Sequence, residues 1–210
     1  MCSRSPARFT KPAMERPLSR DDQIRWDKQH QQSQGARQPA SFLRQVFETN
    51  AWPWPRGRAL DLACGKGSNA IYLAERGFDV VAMDISSVAL AQGRKRAEAK
   101  QLSVNWQQAD LEGAELDEAR YDLIVNLNYL QRSLIPQIKR ALKVGGYVIF
   151  ETYLIDQREI GHPKNPDYLL GHNELLESFR DFRVLYYREG KVSEGSESSF
   201  RAGILAQKIG

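Results

Sequence analysis

The sequence predicts an α/β fold: a mostly parallel sheet with helices on both faces, ending in an antiparallel hairpin. Three observations carry this. Continuous apolar runs such as RALDLA and YDLIVNL alternate with amphipathic stretches, the pattern of strands buried on both faces. Glycines stand where a strand should turn into a helix, at Gly65 and Gly67, and where a helix should stop, at Gly77. The last two apolar runs, DFRVLYYRE and FRAGILAQKI, have no helix between them and are joined by the Gly/Ser-rich GKVSEGSESS, so they should pair antiparallel.

The elements follow in order. DDQIRWDKQH reads as a short helix whose large apolar residues are Ile24 and Trp26, and QPASFLRQVFET as an amphipathic helix with Phe42, Leu43, Val46 and Phe47 on one face. AWPWPRG is a proline-punctuated connector. Strand RALDLA passes through the glycine loop to helix SNAIYLAERG, and strand DVVAMD leads to helix SSVALAQGRKRAEAKQ, where Ser86 is placed to cap. Strands VNWQQAD and YDLIVNL come next, then helix LQRSLIPQIKRAL and strand GGYVIFETY. A polar loop, LIDQREIGHPKNPDYLLG, precedes helix HNELLESFR and the hairpin.

At 210 residues the chain suits one domain with a substantial core. The expected division is a basic, disordered tail over 1–20 and a single domain over 21–210, with 21–56 as N-terminal cap helices. Residues 1–20 hold Arg4, Arg8, Lys11, Arg16 and Arg20 against Glu15 alone, a balance of +4 that equals the excess of the whole chain. The remainder carries 25 basic and 25 acidic groups, so a basic body that wraps nucleic acid is not supported. Met14 offers an alternative start, and Pro6, Pro12 and Pro17 would break the helix of a transit peptide. No apolar run approaches a membrane span and no signal-peptide core stands near Met1. Two cysteines, Cys2 and Cys64, show neither a pairing framework nor metal-ligand spacing. A cytoplasmic, metal-free protein is expected.

The stretch ALDLACGKGSNA admits two readings. From Gly65 it fits G-x-G-x-x-A, a form of the dinucleotide fingerprint; from Asp61 it is D-x-A-x-G-x-G. Asp84 closes the second strand nineteen positions after Gly65, where an acid hydrogen-bonds the ribose of a bound nucleoside. Asp61 separates the readings: beside a pyrophosphate its carboxylate would be repelled, beside an ammonium group attracted. Asp110 ends the third strand with a further acid, and LKVGGYVIF sets a paired-glycine turn directly before a strand.

In that order and spacing, LDLACGKG, VVAMD, QQAD, YDLIVNL and LKVGGYVIF resemble the class I S-adenosylmethionine-dependent methyltransferases over about residues 20–210. The resemblance implies a Rossmann-like, seven-stranded sheet and S-adenosylmethionine as donor, with S-adenosylhomocysteine as product. It implies that Asp61, with the backbone of Ala63, Cys64, Gly65 and Gly67 and with Asn69 nearby, holds the methionine part. Asp84 would take the ribose, Ile85 and Leu111 would flank the adenine, Asp110 would receive its amine, and Asn126 would complete the site. The family commonly has glycine where Ala63 stands. At finer grain, DLACGKGSNAIYLAERGFDVVAMDIS with YLQRSLIP and HPKNPDYLLGHNELLESF resembles bacterial methyltransferases of the tellurite-resistance type.

Methyl transfer needs alignment, a dry pocket and sometimes a base. The expected acceptor is a small-molecule nucleophile, with Tyr129, Arg132, Tyr153 and Tyr168 as its wall and Trp26 closing a lid; Tyr129 and Arg132 are the catalytic candidates. Arg132 suits an anionic acceptor or, equally, a surface ion pair. His30, His162 and His172 are the imidazoles available as bases, and each reads also as a capping or packing residue. Cys64 reads as a small buried filler rather than a nucleophile. The competing readings are an NAD-dependent oxidoreductase, a non-enzymatic donor binder, and a nucleic-acid methyltransferase. The last rests on the N-x-x-Y spacing of Asn126 to Tyr129, which lacks the two prolines that stiffen such a turn.

Overall fold

The computed structural model describes residues 19–33, 38–49, 52–195 and 197–210. The expected tail over 1–20, with Cys2 and Met14, therefore lies outside the described residues except for its last two positions. Arg20 already opens a helix.

Two helices lead in, α1 (Arg20–Gln32) and α2 (Ser41–Glu48). The alternating body is β1 (Arg58–Leu62), α3 (Ser68–Ala74), β2 (Asp79–Asp84), α4 (Ser87–Ala99), β3 (Val104–Gln108), β4 (Tyr121–Leu127), α5 (Ile135–Ala141) and β5 (Leu142–Tyr153). Short helices α6 (Gln157–Ile160) and α7 (Glu174–Ser178) follow, then β6 (Arg183–Glu194) and β7 (Glu197–Gln207). The seven strands form one sheet in the order β3-β2-β1-β4-β5-β7-β6, with β7 antiparallel to both of its neighbours. The order reverses between β1 and β4, and a crevice opens outside the carboxyl ends of strands at such a point.

Each face buries its own core. On one side Leu60, Leu62, Ile124, Val148 and Phe150 pack against Ile135 and Ile138 of α5 and Leu175 of α7. On the other, Ala59, Val80, Val125 and Ile149 pack against Phe42, Leu43, Val46 and Phe47 of α2 and Ala70 and Leu73 of α3. The apolar face read from QPASFLRQVFET is the buried one. Ser86 caps α4 as expected, its hydroxyl accepting from the Ala89 N–H at 3.1 Å.

Several boundaries differ from the sequence reading. The connector GKVSEGSESS is mostly strand: pairing continues from Lys191–Phe200 to Glu194–Glu197. The helix expected over LQRSLIPQIKRAL starts late, as a 3-10 turn at Arg132–Leu134 and then α5, with Pro136 in its first turn, because a proline lacks the N–H that an earlier start would use. β5 begins at Leu142, before the glycine pair. The polar loop before α7 holds α6 and a 3-10 turn at Pro166–Tyr168.

Candidate functional site

β1 ends in a run of left-handed residues. Ala63 has φ 51°, Gly65 53° and Gly67 71°, and Gly67 opens α3. Only the glycines adopt this conformation freely; at Ala63 it costs on the order of 1 kcal/mol. The Cys64 N–H donates to the Met83 carbonyl at 2.9 Å, tying the loop to β2. Beneath it lies the indole of Trp106 from β3. A Cβ added at Gly67 would stand 2.2 Å from that ring, and one at Gly93 of α4 would stand 2.6 Å from it. The loop thus rests on an aromatic wedge that two glycines admit.

The three acids lie at the carboxyl ends of three neighbouring strands: Asp61 is next to last in β1, Asp84 is last in β2, and Asp110, expected to end β3, lies two residues past it. Asp61 is 1% exposed, and neither carboxylate oxygen has a hydrogen-bond partner. Burial pushes its pKa up to about 8; the Ala70 amide, which does not reach hydrogen-bond geometry, offsets part of that rise, and the charge of Asp84 adds to it by less. A buried carboxyl with nothing to accept is costly to hold, and an ammonium group is the ligand that would satisfy it. Asp84 receives the Gly65 N–H at 2.7 Å and the Ser86 N–H at 2.8 Å. Burial raises its pKa nonetheless, with those amides and His30 pulling the other way. Asp110 accepts from the Ser19 N–H at 2.9 Å and from the Glu112 N–H at 3.0 Å.

α1 lies over these strand ends. Asp27 accepts from the Ser86 hydroxyl at 2.6 Å and from the Val88 N–H at 3.2 Å, so it caps α4 from another helix. Lys66 of the loop donates to the Ser33 carbonyl at 2.6 Å. His30, flagged as an imidazole, faces the loop: its Cε1 would be 3.5 Å from a Cβ at Gly65. Trp26, 36% exposed, leans on His30 with ring centroids 6.1 Å apart. Asp27 and the Ser19 amide were missed in the sequence, which has no signal for a helix cap supplied sixty residues away.

The remaining expected residues divide. Cys64 is buried, with its thiol pKa raised by burial and then by Asp61 and Asp84, the behaviour of a filler. Leu111 is buried and Ile85 half-buried beside Asp84. Asn69 spends its carbonyl on the Ala40 N–H at 2.9 Å, which fixes the entry to α2. Asn126 is 1% exposed, donates to the Tyr129 carbonyl at 2.7 Å and leaves its own Oδ1 buried without a partner. The Tyr129 hydroxyl donates to Gln131 at 2.6 Å, and burial, then Glu112, Asp110 and Asp84, hold its pKa above the usual phenol value. It keeps its proton near neutral pH and can act as a hydrogen-bond donor, not as a base.

Arg132 takes the ion-pair alternative. Its Nε and Nη2 donate to Glu174 at 2.6 and 3.0 Å, and Nη1 and Nη2 reach the carbonyls of Asp167 and Leu169. It staples the 166–174 loop to the start of α5 and has little left for a ligand. Tyr168, in that loop, is 49% exposed. His172 pairs with Asp156 at 2.7 Å on the surface, and this hydrogen bond raises its pKa. The His162 carbonyl accepts from Gln157. Tyr153 stays at the end of β5, under the guanidinium of Arg201 at 4.1 Å, a residue absent from the expected wall. Two open clefts, of about 630 and 650 Å³, lie elsewhere, one among Arg58, Asp79, Asp122 and Lys143 at the opposite strand ends and one along α5; neither touches the three acids, which α1 covers. Among the described residues no group of His, Cys, Asp and Glu could hold a metal, and no helix is long and apolar enough to cross a membrane.

Comparison with known proteins agrees with this fold. Residues 59–146 match the model of a methyltransferase domain family. The chain is 29% identical over 165 residues to the probable S-adenosyl-L-methionine-dependent methyltransferase TehB of Haemophilus influenzae, covering 72% of this chain and 57% of that protein. It spans about half the length of the curated relatives it matches. The crystal structure of TehB from Haemophilus influenzae superposes with a TM-score of 0.68 at 24% identity, over 80% of this chain and 62% of that one. A geranyl diphosphate C-methyltransferase from Streptomyces coelicolor, solved with S-adenosyl-L-homocysteine, shares the fold with a TM-score of 0.61 at 16% identity, over 80% and 78% of the two chains.

Proposed function

Because the chain carries the domain of the class I S-adenosylmethionine-dependent methyltransferases, we propose that it transfers a methyl group to a small-molecule nucleophile by in-line displacement. The observation that carries the reading is Asp61, a buried carboxyl with two orphaned oxygens at the turn of the loop. When bound, the donor supplies a sulfonium methyl: the acceptor's lone pair forms the new bond to carbon, and the carbon–sulfur pair returns to sulfur.

The chain's own residues then bind and align. Asp61 pairs with the donor's ammonium group, and the backbone of Ala63–Gly67 lines the methionine part. Asp84 accepts from the ribose, Ile85 and Leu111 flank the adenine, and Asp110 receives its amine once the Ser19 N–H has left. α1 lies over them, with His30 facing the loop and the exposed Trp26 against His30, and would keep water from the strand ends. Asn126 and Tyr129 border the acceptor side, and Tyr153 forms its wall. Holding the reacting atoms in line contributes on the order of 7 kcal/mol with no residue acting chemically. Residues 21–210 act as one domain in this reading, capped by 21–56, in the cytoplasm, where Cys64 stays a free thiol.

The same carboxyl disfavours the oxidoreductase alternative, since a pyrophosphate beside Asp61 would bring no cation to pair with it and would oppose its ionisation, and a net-neutral body does not favour nucleic acid. Calorimetry on Asp84→Ala tests the donor site. Loss of a charge-assisted pair of hydrogen bonds is expected to weaken donor affinity by about 10- to 100-fold; an unchanged affinity refutes the ribose assignment. A product-release screen over thiols, selenium and tellurium oxyanions, amines and phenols tests turnover. Donor binding with no S-adenosylhomocysteine released from any of them would leave a binder.

A further inference from the structure

A second charged cluster lies two strands beyond Asp61, on β5 and the hairpin, on the α2 side of the sheet. Glu151 of β5 is 3% exposed, and two arginines of the C-terminal hairpin converge on it. Arg188 Nη2 is 2.6 Å from Oε1, and Arg201 Nη1 is 3.6 Å from Oε2. Their side chains are only 20% and 14% exposed. One carboxylate thus faces two guanidinium groups in a mostly dry setting, where a further negative charge is held more strongly than in water.

Arg188 is fully engaged. Its Nε and Nη2 both donate to Glu151, its Nη1 donates to Gln45 at 3.0 Å, and its guanidinium lies 4.8 Å from the Phe42 ring centre. Arg201 is not. Its Nε donates to the Ser199 hydroxyl at 2.9 Å and its Nη1 to Asn128 Oδ1 at 2.6 Å, while Nη2 makes no hydrogen bond among the described residues and is not sealed from solvent. Asn128 holds the left-handed turn directly after β4, with φ 62°, and its N–H donates to the Glu151 carbonyl. The guanidinium therefore spans from the end of β4 to Tyr153 at the end of β5, along the wall given to the acceptor.

We propose that Arg201 binds an anionic group of the methyl acceptor, a carboxylate or an oxyanion, through the unspent edge of its fork. Asn128 and Tyr153 set the plane of the guanidinium, and the Glu151–Arg188 pair anchors it from beneath. A planar fork held at two of its three nitrogens presents the third without further ordering. This rests on the methyl-transfer reading for the word acceptor, but the anion site itself can be measured without turnover.

The test is thermal unfolding of the full chain, free and loaded with S-adenosylhomocysteine, titrated with sodium acetate or inorganic phosphate at constant ionic strength made up with chloride. A ligand that binds only the folded state raises the midpoint in a saturating way. The wild type is expected to rise by roughly 2 °C or more with at least one anion. Arg201→Gln should abolish the rise, and Arg201→Lys, which keeps the charge but not the fork, should retain a weaker one. A rise with acetate alone assigns a carboxylate, with phosphate alone an oxyanion, with both their shared chemistry. No saturating rise in the wild type, or an equal rise in Arg201→Gln, overturns the proposal. Failure of the wild type to bind S-adenosylhomocysteine by calorimetry would instead sink the methyl-transfer reading, and the unloaded titration would still decide the anion site.

Discussion

Asp61→Asn is expected to make the ligand-free protein more stable at pH 8 while abolishing most of its affinity for the donor. The folded carboxyl titrates at about 8, against 3.8 for the ordinary group. Between those values the folded state keeps a proton that the unfolded state has released, so stability falls as pH rises across the window. Asparagine cannot ionise, and the variant should lose most of that slope. Asp84, whose pKa is also raised, keeps a smaller slope of the same sign. The donor reverses the balance, because pairing with its ammonium group requires the ionised carboxylate. Binding below pH 8 should release up to one proton, read as a buffer-dependent heat in calorimetry. Breaking a buried pair costs about 3 kcal/mol or more, so the variant should bind the donor roughly 100-fold more weakly. Unfolding curves at pH 5 and pH 8 together with donor titrations decide it. A variant less stable than the wild type at pH 8, or one that binds the donor normally, would refute the role given to Asp61.

Gly67→Ala should be the most damaging single methyl group in the loop. Its Cβ would stand 2.2 Å from the Trp106 ring, and the backbone there has φ 71°. Left-handed backbone costs an alanine on the order of 1 kcal/mol, and forcing a packed indole aside adds about 2. The melting midpoint should fall by roughly 6–12 °C for a chain of this size. Gly77→Ala is the control: its φ is 84° but nothing lies within 4 Å of the added atom, so only the backbone part remains. Equal losses in the two variants would show that Trp106 does not brace the loop.

The sheet and the donor side were legible because local chemistry dictates them. Apolar runs with acids at their ends can be read residue by residue, and parallel pairing of β1, β2 and β3 brings Asp61, Asp84 and Asp110 to the same edge of the sheet, each stepped two residues further along than the last, since Asp61 pairs with Ala82 and Asp84 with Gln108. The acceptor side was not legible, because its geometry comes from pairings distant in sequence. Arg132 looked available until the fold brought Glu174 to it across 42 positions. Arg201 carries no signal in FRAGILAQKI, and gains one only when β7 lies beside β5 with Arg201 opposite Tyr153. The connector GKVSEGSESS was misread because its composition favours a loop, whereas cross-strand pairing with a partner already in register overrides that preference.

The wedge under the loop has a consequence for which sequences this fold can accept. Position 67 caps α3 from the loop and position 93 lies on α4, yet both end on the same indole, so neither can grow while tryptophan occupies position 106. A homologue with a smaller residue at 106 loses the clash at both glycines, leaving the left-handed backbone of Gly67 and the Lys66 carbonyl, 3.2 Å from a Cβ at Gly93, as the remaining constraints, and one that keeps the tryptophan keeps the clash as well. The three positions should drift as a set, and a designer altering the donor loop must begin at a strand residue that never touches it through the chain.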